Sequence, residues 1–402
     1  MLRRMQIAAA PTPIPRVRLG AVLGINQTLS WGMSFYLPAI VAGRAAESLN
    51  AAPSLILGAF SWSLLVGGAC APRVGRWIDT HGGRGALLAS IVVIAAGQAI
   101  LAVAPNLAIW YLGWTAIGVG MAMGLYDAAF ATVGGLLKQE AGPTITGITL
   151  LAGFASSVFW TLGSMLIGPL GWRGLLLTYA AIMLLANLPM IWLLVPPAPP
   201  RPHTPPGGAA LPVRAAPKRV AVVCLGAFFA VRWFITSAIA VHVLDLLGGI
   251  GLTAAQAIFI AAMVGPGQVA GRIMEWVIGP RVDTLVKARV AAALFPLGAV
   301  LLLAIPWIGP LAAAIGFVLL YGMSNGIMTI NRGTLPLAMF GAEGYARILG
   351  WLAVPVLFGQ ALAPAVTAPL VAALSPLHVL LLAGAAAGAA LLLLFPLRLP
   401  AR

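Results

Sequence analysis

Residues 75–84 read GRWIDTHGGR, and residues 271–275 repeat the start of this segment as GRIME. Each copy lies at the end of an apolar stretch, and the two copies are 196 positions apart. A second pair has nearly the same spacing, since GMAMGLYD at residues 120–127 is echoed by GMSNGIMT at residues 322–329, 202 positions later. The chain therefore consists of two halves that repeat one another.

The composition is that of a membrane protein. Hydrophobic residues make up 61% of the 402 positions and charged residues 8%, whereas soluble domains carry roughly 25% charged residues. Apolar stretches near the length of a membrane helix, about 20 residues, occur at 19–43, 54–73, 85–104, 107–136, 145–168, 173–195, 220–247, 254–276, 288–306, 310–336, 347–370 and 375–396. We number them helices 1–12 and predict an all-α membrane protein with two six-helix halves.

Proline marks the boundary between the halves. Residues 196–219 are rich in proline and basic residues, a composition that cannot form a membrane helix. We therefore predict an N-terminal six-helix bundle at residues 1–195, a cytoplasmic linker at 196–219 and a C-terminal six-helix bundle at 220–402.

The basic residues are unevenly distributed between the two sides of the predicted membrane. With twelve spans, the side that holds both termini collects 20 of the 23 Lys and Arg residues, while Arg44 and Arg173 fall on the other side and Arg232 lies within helix 7. Because Lys and Arg are retained in the cytoplasm, both termini are expected there, in a bacterial inner (plasma) membrane. The basic residues lie between apolar stretches, so the expected partner is lipid and nucleic acid is excluded.

The spacing of Gly75, Asp79, Gly82 and Arg84 reproduces the GxxxDxxGxR signature between helices 2 and 3 of the major facilitator superfamily, and the sequence resembles this family over its whole length. The resemblance implies a twelve-helix carrier that works by alternating access, and not an enzyme. It also implies that helices 1, 4, 7 and 10 line a central cavity.

The same resemblance assigns a conformational latch. Asp79, with Arg76 or Arg84, would engage the positive end of helix 11 and so favour one state of the transport cycle. Arg272 and Glu275 would form a weaker copy of this latch in the second half. The alternative is a cluster that caps helix ends without any conformational role.

Two short segments narrow the subfamily. Ser30–Trp31–Gly32 with Tyr36, and the turn at residues 171–173, are similar to monocarboxylate and oxalate/formate transporters. Those relatives carry an arginine deep in helix 8, where this chain has Gln268. Drug/proton antiporters carry an arginine in helix 4 and a Gly-Pro pair in helix 5. This chain has Trp114 in place of the arginine, and its helix 5 lacks the Gly-Pro pair at residues 153–160.

Asp127 in helix 4 and Arg232 in helix 7 are the charged residues that lie well inside the predicted spans. A charge there costs roughly 2.5–3.5 kcal/mol on insertion scales, so such residues usually face a cavity. We predict that Arg232 binds an anion through its forked guanidinium and that Asp127 carries a proton or acts as counter-ion. The alternative is an Asp127–Arg232 ion pair that only closes the cavity.

Polar residues recur at helical spacing on two cavity helices. One face of helix 1 carries Gln27, Ser30, Trp31 and Ser34, and one face of helix 10 carries Tyr321, Asn325, Met328, Thr329 and Arg332. Such faces line a pathway or bridge to a neighbouring helix. Gln27, Trp31, Tyr321 and Asn325 are candidate substrate residues, and Arg332 is expected to snorkel to the membrane surface.

The predicted function is secondary active transport, by symport or antiport, of a small organic anion or metabolite with protons. The alternative is an efflux transporter for drugs or amphipathic compounds, with a cavity walled by aromatic residues at positions 31, 114, 160, 228 and 233. An enzyme or a channel is disfavoured because neither a catalytic motif nor a selectivity motif is present. We expect a monomer without cofactor or metal.

Overall fold

The structure, a computed structural model, describes residues 15–197 and 219–399. Within the first range, helix 1 comprises Arg16–Ser30, Trp31–Phe35 and Pro38–Ser48, helix 2 is Pro53–His81, helix 3 is Gly83–Ala102, and helix 4 comprises Leu107–Gly124 and Tyr126–Leu137. Helix 5 begins with Ala141–Ala152 and continues into Ala155–Ile182, and helix 6 ends with Met183–Asn187 and Leu188–Leu194. Helices 5 and 6 are separated at Gly171, whose φ of 66° interrupts the helical backbone.

The second range repeats this arrangement. Helix 7 is Arg219–Gly249, helix 8 comprises Ala254–Ala262 and Val264–Ile278, helix 9 is Thr284–Leu301, helix 11 is Tyr345–Ala373 and helix 12 is Pro376–Leu392. Helix 10 is the part of Ile305–Phe340 that follows Gly309, where a φ of 80° again interrupts the backbone. Short 3-10 turns occur at Lys138–Glu140, Gly279–Arg281 and Leu302–Ala304.

The prediction of an all-α fold with two six-helix halves is confirmed. Among the described residues, seven helical stretches are long and apolar enough to cross a membrane, because helices that run into one another count as one stretch. The longest, Leu107–Leu194, contains helices 4, 5 and 6. The predicted linker falls almost entirely on residues 198–218, outside the described part of the chain, and the domain bounds at 1 and 402 lie outside it too.

The two halves meet mainly on one side of the membrane, which we call the terminal side because helix 1 begins and helix 12 ends there. Helix 11 packs along helix 2, and the terminal-side parts of helices 4 and 5 contact helices 8, 10 and 11. Glycines allow the close approach of helices 2 and 11: a Cβ on Gly350 would lie 2.5 Å from the carbonyl oxygen of Ala71, and one on Gly75 would overlap the carbonyl of Ala346. The structure is therefore closed on the terminal side.

Helices 1, 4 and 5 of the first half are interrupted near their middle, and helix 6 contains a π-helical turn at Met183–Asn187. Helix 1 contains a π-helical turn at Trp31–Phe35, directly before Pro38. Helix 4 is interrupted at Leu125, which has extended backbone angles, and helix 5 turns at residues 153–154. Backbone N–H and C=O groups that lose their helical hydrogen bonds inside a membrane need partners within the protein. Directly before the break in helix 4, the carbonyl of Gly124 accepts a hydrogen bond of 2.7 Å from Gln27 Nε2.

Candidate functional site

A narrow cavity of about 50 Å³ lies between the halves, next to the breaks in helices 1 and 4. Trp31 and Phe35 line it from helix 1, Tyr126 and Asp127 from helix 4, and Arg332 from helix 10. Helices 2 and 11 supply the remaining, mostly apolar wall. Of the sequence-predicted site residues, Trp31 and Asp127 therefore reach the cavity, together with residues of the Gly75 motif.

A bidentate ion pair crosses between the halves at this cavity. Arg332 Nε donates to Asp127 Oδ1 at 2.9 Å and Arg332 Nη2 donates to Oδ2 at 2.5 Å. The Arg332 guanidinium also lies 5.2 Å from the ring centroid of Trp233, a cation–π distance. Two sequence-based interpretations are wrong: Arg332 does not snorkel to the surface, and Asp127 does not pair with Arg232.

Arg232 lies in the interior of the second half and does not line this cavity. Its guanidinium donates to Thr236 at 2.9 Å, Ser324 at 3.1 Å and Asn325 at 2.5 Å, and only 2% of the residue is exposed. Tyr321, another predicted substrate residue, lies within cation–π distance at 5.8 Å. These polar groups of helices 7 and 10 therefore bind each other, and Arg232 Nε is left without a hydrogen-bond partner.

Gln27 is also fully buried and holds helices together. Its Nε2 donates to Asn26 at 3.0 Å as well as to Gly124, and Asn26 in turn donates to Asn187 of helix 6. Trp31 Nε1 donates to Gln27 Oε1 at 3.2 Å. Gln27 therefore joins helices 1, 4 and 6 and orients the indole of Trp31 toward the cavity.

The motif at the end of helix 2 contacts helix 11 through Asp79. Asp79 accepts hydrogen bonds from the backbone N–H groups of Ala346 at 3.2 Å and Arg347 at 2.9 Å, in the first turn of helix 11. Gly82 ends helix 2 with a φ of 82°, a conformation that other residues rarely adopt. Arg84 donates to the carbonyl of Trp192 in helix 6, so its side chain braces the first half internally.

The repeat of this motif at helix 8 is arranged differently. Glu275 accepts from Lys287 Nζ at 2.6 Å, within its own half. Arg272 contacts Gln268 at 3.4 Å, and its guanidinium lies against Gly153 at the turn in helix 5, where even a Cβ would overlap it. Arg272 and Glu275 therefore do not form a second latch.

Arg272 lies in surroundings that differ from those expected for a latch. It is 5% exposed and its Nε has no hydrogen-bond partner. No carboxylate of the described chain lies within ion-pair distance of its guanidinium. The available signal was its spacing of four from Gln268, which places both polar side chains on one helix face.

The aromatic wall proposed for an efflux cavity is not assembled. Trp114 and Phe228 are 1% exposed and packed inside their own halves, whereas Trp160 is 48% exposed. Trp31 alone of the five lines the cavity described above. Trp31 instead joins a local cluster, with ring centroids 4.8 Å from Phe35 and 4.9 Å from Tyr126.

Comparisons with known proteins identify the fold. The family model described as Major Facilitator Superfamily matches residues 23–354, and no curated protein sequence matches this chain. Similar solved structures include the human organic anion transporter MFSD10 (TETRAN), with a TM-score of 0.73 over 94% of this chain and 99% of that chain.

Two symporter structures are also similar. The proton:xylose symporter XylE bound to 6-bromo-6-deoxy-D-glucose has a TM-score of 0.66 over 94% of this chain and 93% of that chain. A variant of the E. coli fucose:proton symporter FucP has the same TM-score over 94% and 98%. Sequence identity is 14% in all three comparisons, so these likenesses show a shared fold and nothing about the substrate.

Proposed function

Because this chain belongs to the Major Facilitator Superfamily, we propose that it is a secondary active transporter that carries a small organic anion or metabolite by proton-coupled alternating access. It is a multi-pass membrane protein of a family of carriers, which are in general not enzymes. The proposal extends to a monomer in a bacterial inner membrane, with the terminal side facing the cytoplasm as the distribution of Lys and Arg indicates. The resemblance of Ser30–Tyr36 to monocarboxylate and oxalate/formate transporters supports an anionic substrate.

The observation that carries this proposal is an excess of buried positive charge. Arg232, Arg272 and Arg332 are each more than nine-tenths buried, and of these only Arg332 has a carboxylate partner among the described residues. A buried cation without a partner is costly. Arg232 and Arg272 do not line the cavity, so their charge would favour an anion over a neutral sugar or a cation through the potential of the second half and not through direct contact.

The position of the Asp127–Arg332 pair supports the proposal of proton coupling. Both residues line the cavity, and their ion pair joins helix 4 of one half to helix 10 of the other. A proton on Asp127 removes its charge and leaves Arg332 without a counter-ion, which weakens the contact that closes the terminal side. The hydrogen bonds of Asp79 to helix 11 then remain as the second closing contact.

Uptake into proteoliposomes tests the proposal. Labelled lactate, benzoate, succinate and glucose would be offered with and without a pH gradient, and we expect the gradient to drive accumulation of a carboxylate in the wild type. Asp127→Asn should abolish gradient-driven accumulation but keep exchange of internal for external substrate. Asp245→Asn, which changes an exposed carboxylate of helix 7, is the control. Undiminished accumulation by D127N would refute the coupling role.

A second candidate function, export of amphipathic compounds, is favoured by a different observation. An apolar cavity of about 390 Å³ lies between helices 7, 11 and 12, with His242 at its edge as the main polar side chain. Apolar walls suit hydrophobic ligands. The export hypothesis replaces the anion-carrier hypothesis if two results are obtained together. Expression of the protein must raise cellular tolerance to hydrophobic cations, and the proteoliposomes must accumulate no carboxylate.

A further inference from the structure

We propose that the apolar cavity between helices 7, 11 and 12 binds one acyl chain of a membrane phospholipid, with the ester and phosphate oxygens of the lipid at His242. This site is separate from the cavity that Asp127 and Arg332 line, and it goes beyond the proposed function. The same cavity supports the alternative of an exporter, so its occupant distinguishes a bound lipid from an exported compound.

The cavity follows the direction in which an acyl chain lies in a bilayer. Its lining runs from Ala230 to Leu246 on helix 7 and from Gly359 to Val371 on helix 11. At about 1.5 Å per residue, these segments are about 24 Å and about 18 Å long. One leaflet contributes about 15 Å to a hydrocarbon core of about 30 Å. The cavity therefore extends from the membrane surface opposite the terminal side to about the middle of the membrane.

The cavity opens toward lipid between helices 11 and 12. Both helices pack on helix 7, but they make few contacts with each other. Leu370 of helix 11 and Leu382 of helix 12 line the cavity and are 38% and 49% exposed. Inside a membrane the medium at such an opening is hydrocarbon, so a lipid chain enters the cavity without crossing water.

The volume and the lining of the cavity suit an alkyl chain. The volume is about 390 Å³, whereas a cavity of about 150 Å³ already holds benzene. The lining is apolar apart from His242 and Thr367, and Thr367 Oγ1 donates to the carbonyl of Ala363 at 2.7 Å. No carboxylate is among the described residues that line the cavity, so the charge of a hydrophobic cation would have no counter-ion there.

His242 marks the end of the cavity at which the polar part of the lipid lies. It is about 18 Å from Ala230 along helix 7, close to the end of this helix at Gly249. Its Nε2 is buried and has no hydrogen-bond partner among the described residues, which is costly inside a membrane. Phosphate and ester oxygens accept hydrogen bonds, and rotation about the soft χ2 angle of histidine brings a ring N–H to them.

Photo-crosslinking in vesicles tests the position of the chain. The full-length protein would be reconstituted with phosphatidylethanolamine, phosphatidylglycerol and a trace of phosphatidylcholine that carries a diazirine, either beside the ester or at the methyl end of one acyl chain. Peptide mass spectrometry identifies the labelled residues. We expect the methyl-end probe to label residues 230–235 and the ester-side probe to label residues 242–246. Equal labelling of exposed residues on helices 3 and 6 would overturn the site.

Two matched substitutions separate the cavity from the general lipid surface. Ala238→Phe places a ring in the cavity, and we expect it to lower labelling of residues 230–235 about tenfold because the chain loses its space. Ala240→Phe adds the same ring at an exposed position of helix 7 outside the cavity and should leave the labelling unchanged. Equal labelling of the two variants would contradict the inference. The labelling map of the wild type keeps the inference falsifiable even if A238F folds poorly.

His242→Phe and His242→Gln test the polar contact. H242F keeps a ring but lacks an N–H, and we expect labelling by the ester-side probe to fall about fivefold, as for the loss of one hydrogen bond. H242Q keeps a donor and should retain most of the labelling. A loss in both variants, or in neither, would show that the lipid makes no hydrogen bond to this side chain.

A competition experiment distinguishes the lipid from an exported compound. Excess tetraphenylphosphonium, a hydrophobic cation, should leave the labelling of residues 230–235 unchanged. If it removes this labelling, the cavity belongs to an exporter and the lipid site is overturned. The anion carrier depends on a different cavity, so its uptake assay and this labelling assay fail independently.

Discussion

Residues 75–79 and residues 271–275 carry repeats of one motif, but they contact different parts of the molecule. In the first half, Asp79 accepts hydrogen bonds from helix 11 across the interface, and Arg76 is exposed. In the second half, Glu275 binds Lys287 within the same half, and Arg272 is buried against helix 5. Both copies of the duplicated segment therefore keep the same place in the fold, but their acidic residues and their arginines make different contacts.

The largest expected effect concerns the acid of the second copy. Glu275→Gln removes the partner of Lys287, and we expect a loss of about 3 kcal/mol in the free energy of unfolding, at the low end for a buried pair because Lys287 keeps some exposure. Denaturant unfolding in detergent measures this. The double variant Glu275→Gln/Lys287→Met should recover part of the loss, and an E275Q protein as stable as wild type would show that the pair contributes nothing.

Gly75 and Gly271 occupy matching positions in the two motifs. A methyl group added at each would be equally crowded, but we expect it to change different properties of the protein. A Cβ on Gly271 would lie 2.5 Å from the carbonyl of Met323 in its own half, whereas one on Gly75 would overlap Ala346 of the other half. Overpacking costs about 1–3 kcal/mol. We expect Gly271→Ala to lower the melting temperature, and Gly75→Ala to open the terminal side at little cost in melting temperature.

The opening can be followed through a thiol placed in the closed region. In a background with Cys70 and Cys224 replaced by serine, Ala131→Cys introduces a thiol at a buried position that lines the cavity. Membrane-impermeant maleimide should label it faster in Gly75→Ala than in the parent, and not faster in Gly271→Ala. Equal labelling in both variants would remove the distinction between the two copies.

The smallest expected effect is at the latch acid itself. Asp79→Asn removes a negative charge from the N-terminus of helix 11, an interaction worth about 0.3–1 kcal/mol at an exposed site. We therefore expect less than about a tenfold rise in the maleimide labelling rate of A131C. Glu343→Gln, which changes a carboxylate in the loop before helix 11, is the matched control and should leave the rate unchanged.

The sequence was sufficient to predict the fold because the fold depends on patterns that are local. The twelve apolar stretches can be recognised without knowing which side chains are in contact. The same is true of the turns between them and of the repeat at residues 75 and 271. The angles of Gly171 and Gly309 were not predicted, but the hydropathy pattern placed the ends of helices 5, 6 and 10 close to these glycines.

The site was predicted only in part because it depends on contacts between distant residues. Asp127 lines the cavity, but its partner lies 205 positions away on helix 10. The sequence offered Arg232 as that partner because Arg232 lies nearer the middle of a span. The contact of Arg272 with Gly153 could not be predicted, because the motif around Arg272 is a copy of the latch and nothing local shows that helix 5 turns at Gly153. The break in helix 4 was missed because no proline marks it, and the π-helical turn in helix 1 was missed although Pro38 follows it.

The glycine contacts between helices 2 and 11 also have a consequence for the speed of the transport cycle. Where Gly75 and Gly350 meet backbone carbonyls, closing the interface freezes no side-chain rotamer at those points, so the conformational entropy lost there is small. The free-energy barrier to opening then arises from the polar contacts of Asp79 and Asp127, and not from the separation of interdigitated side chains. The barrier should accordingly be mainly enthalpic, and removal of one of these polar contacts should raise the opening rate.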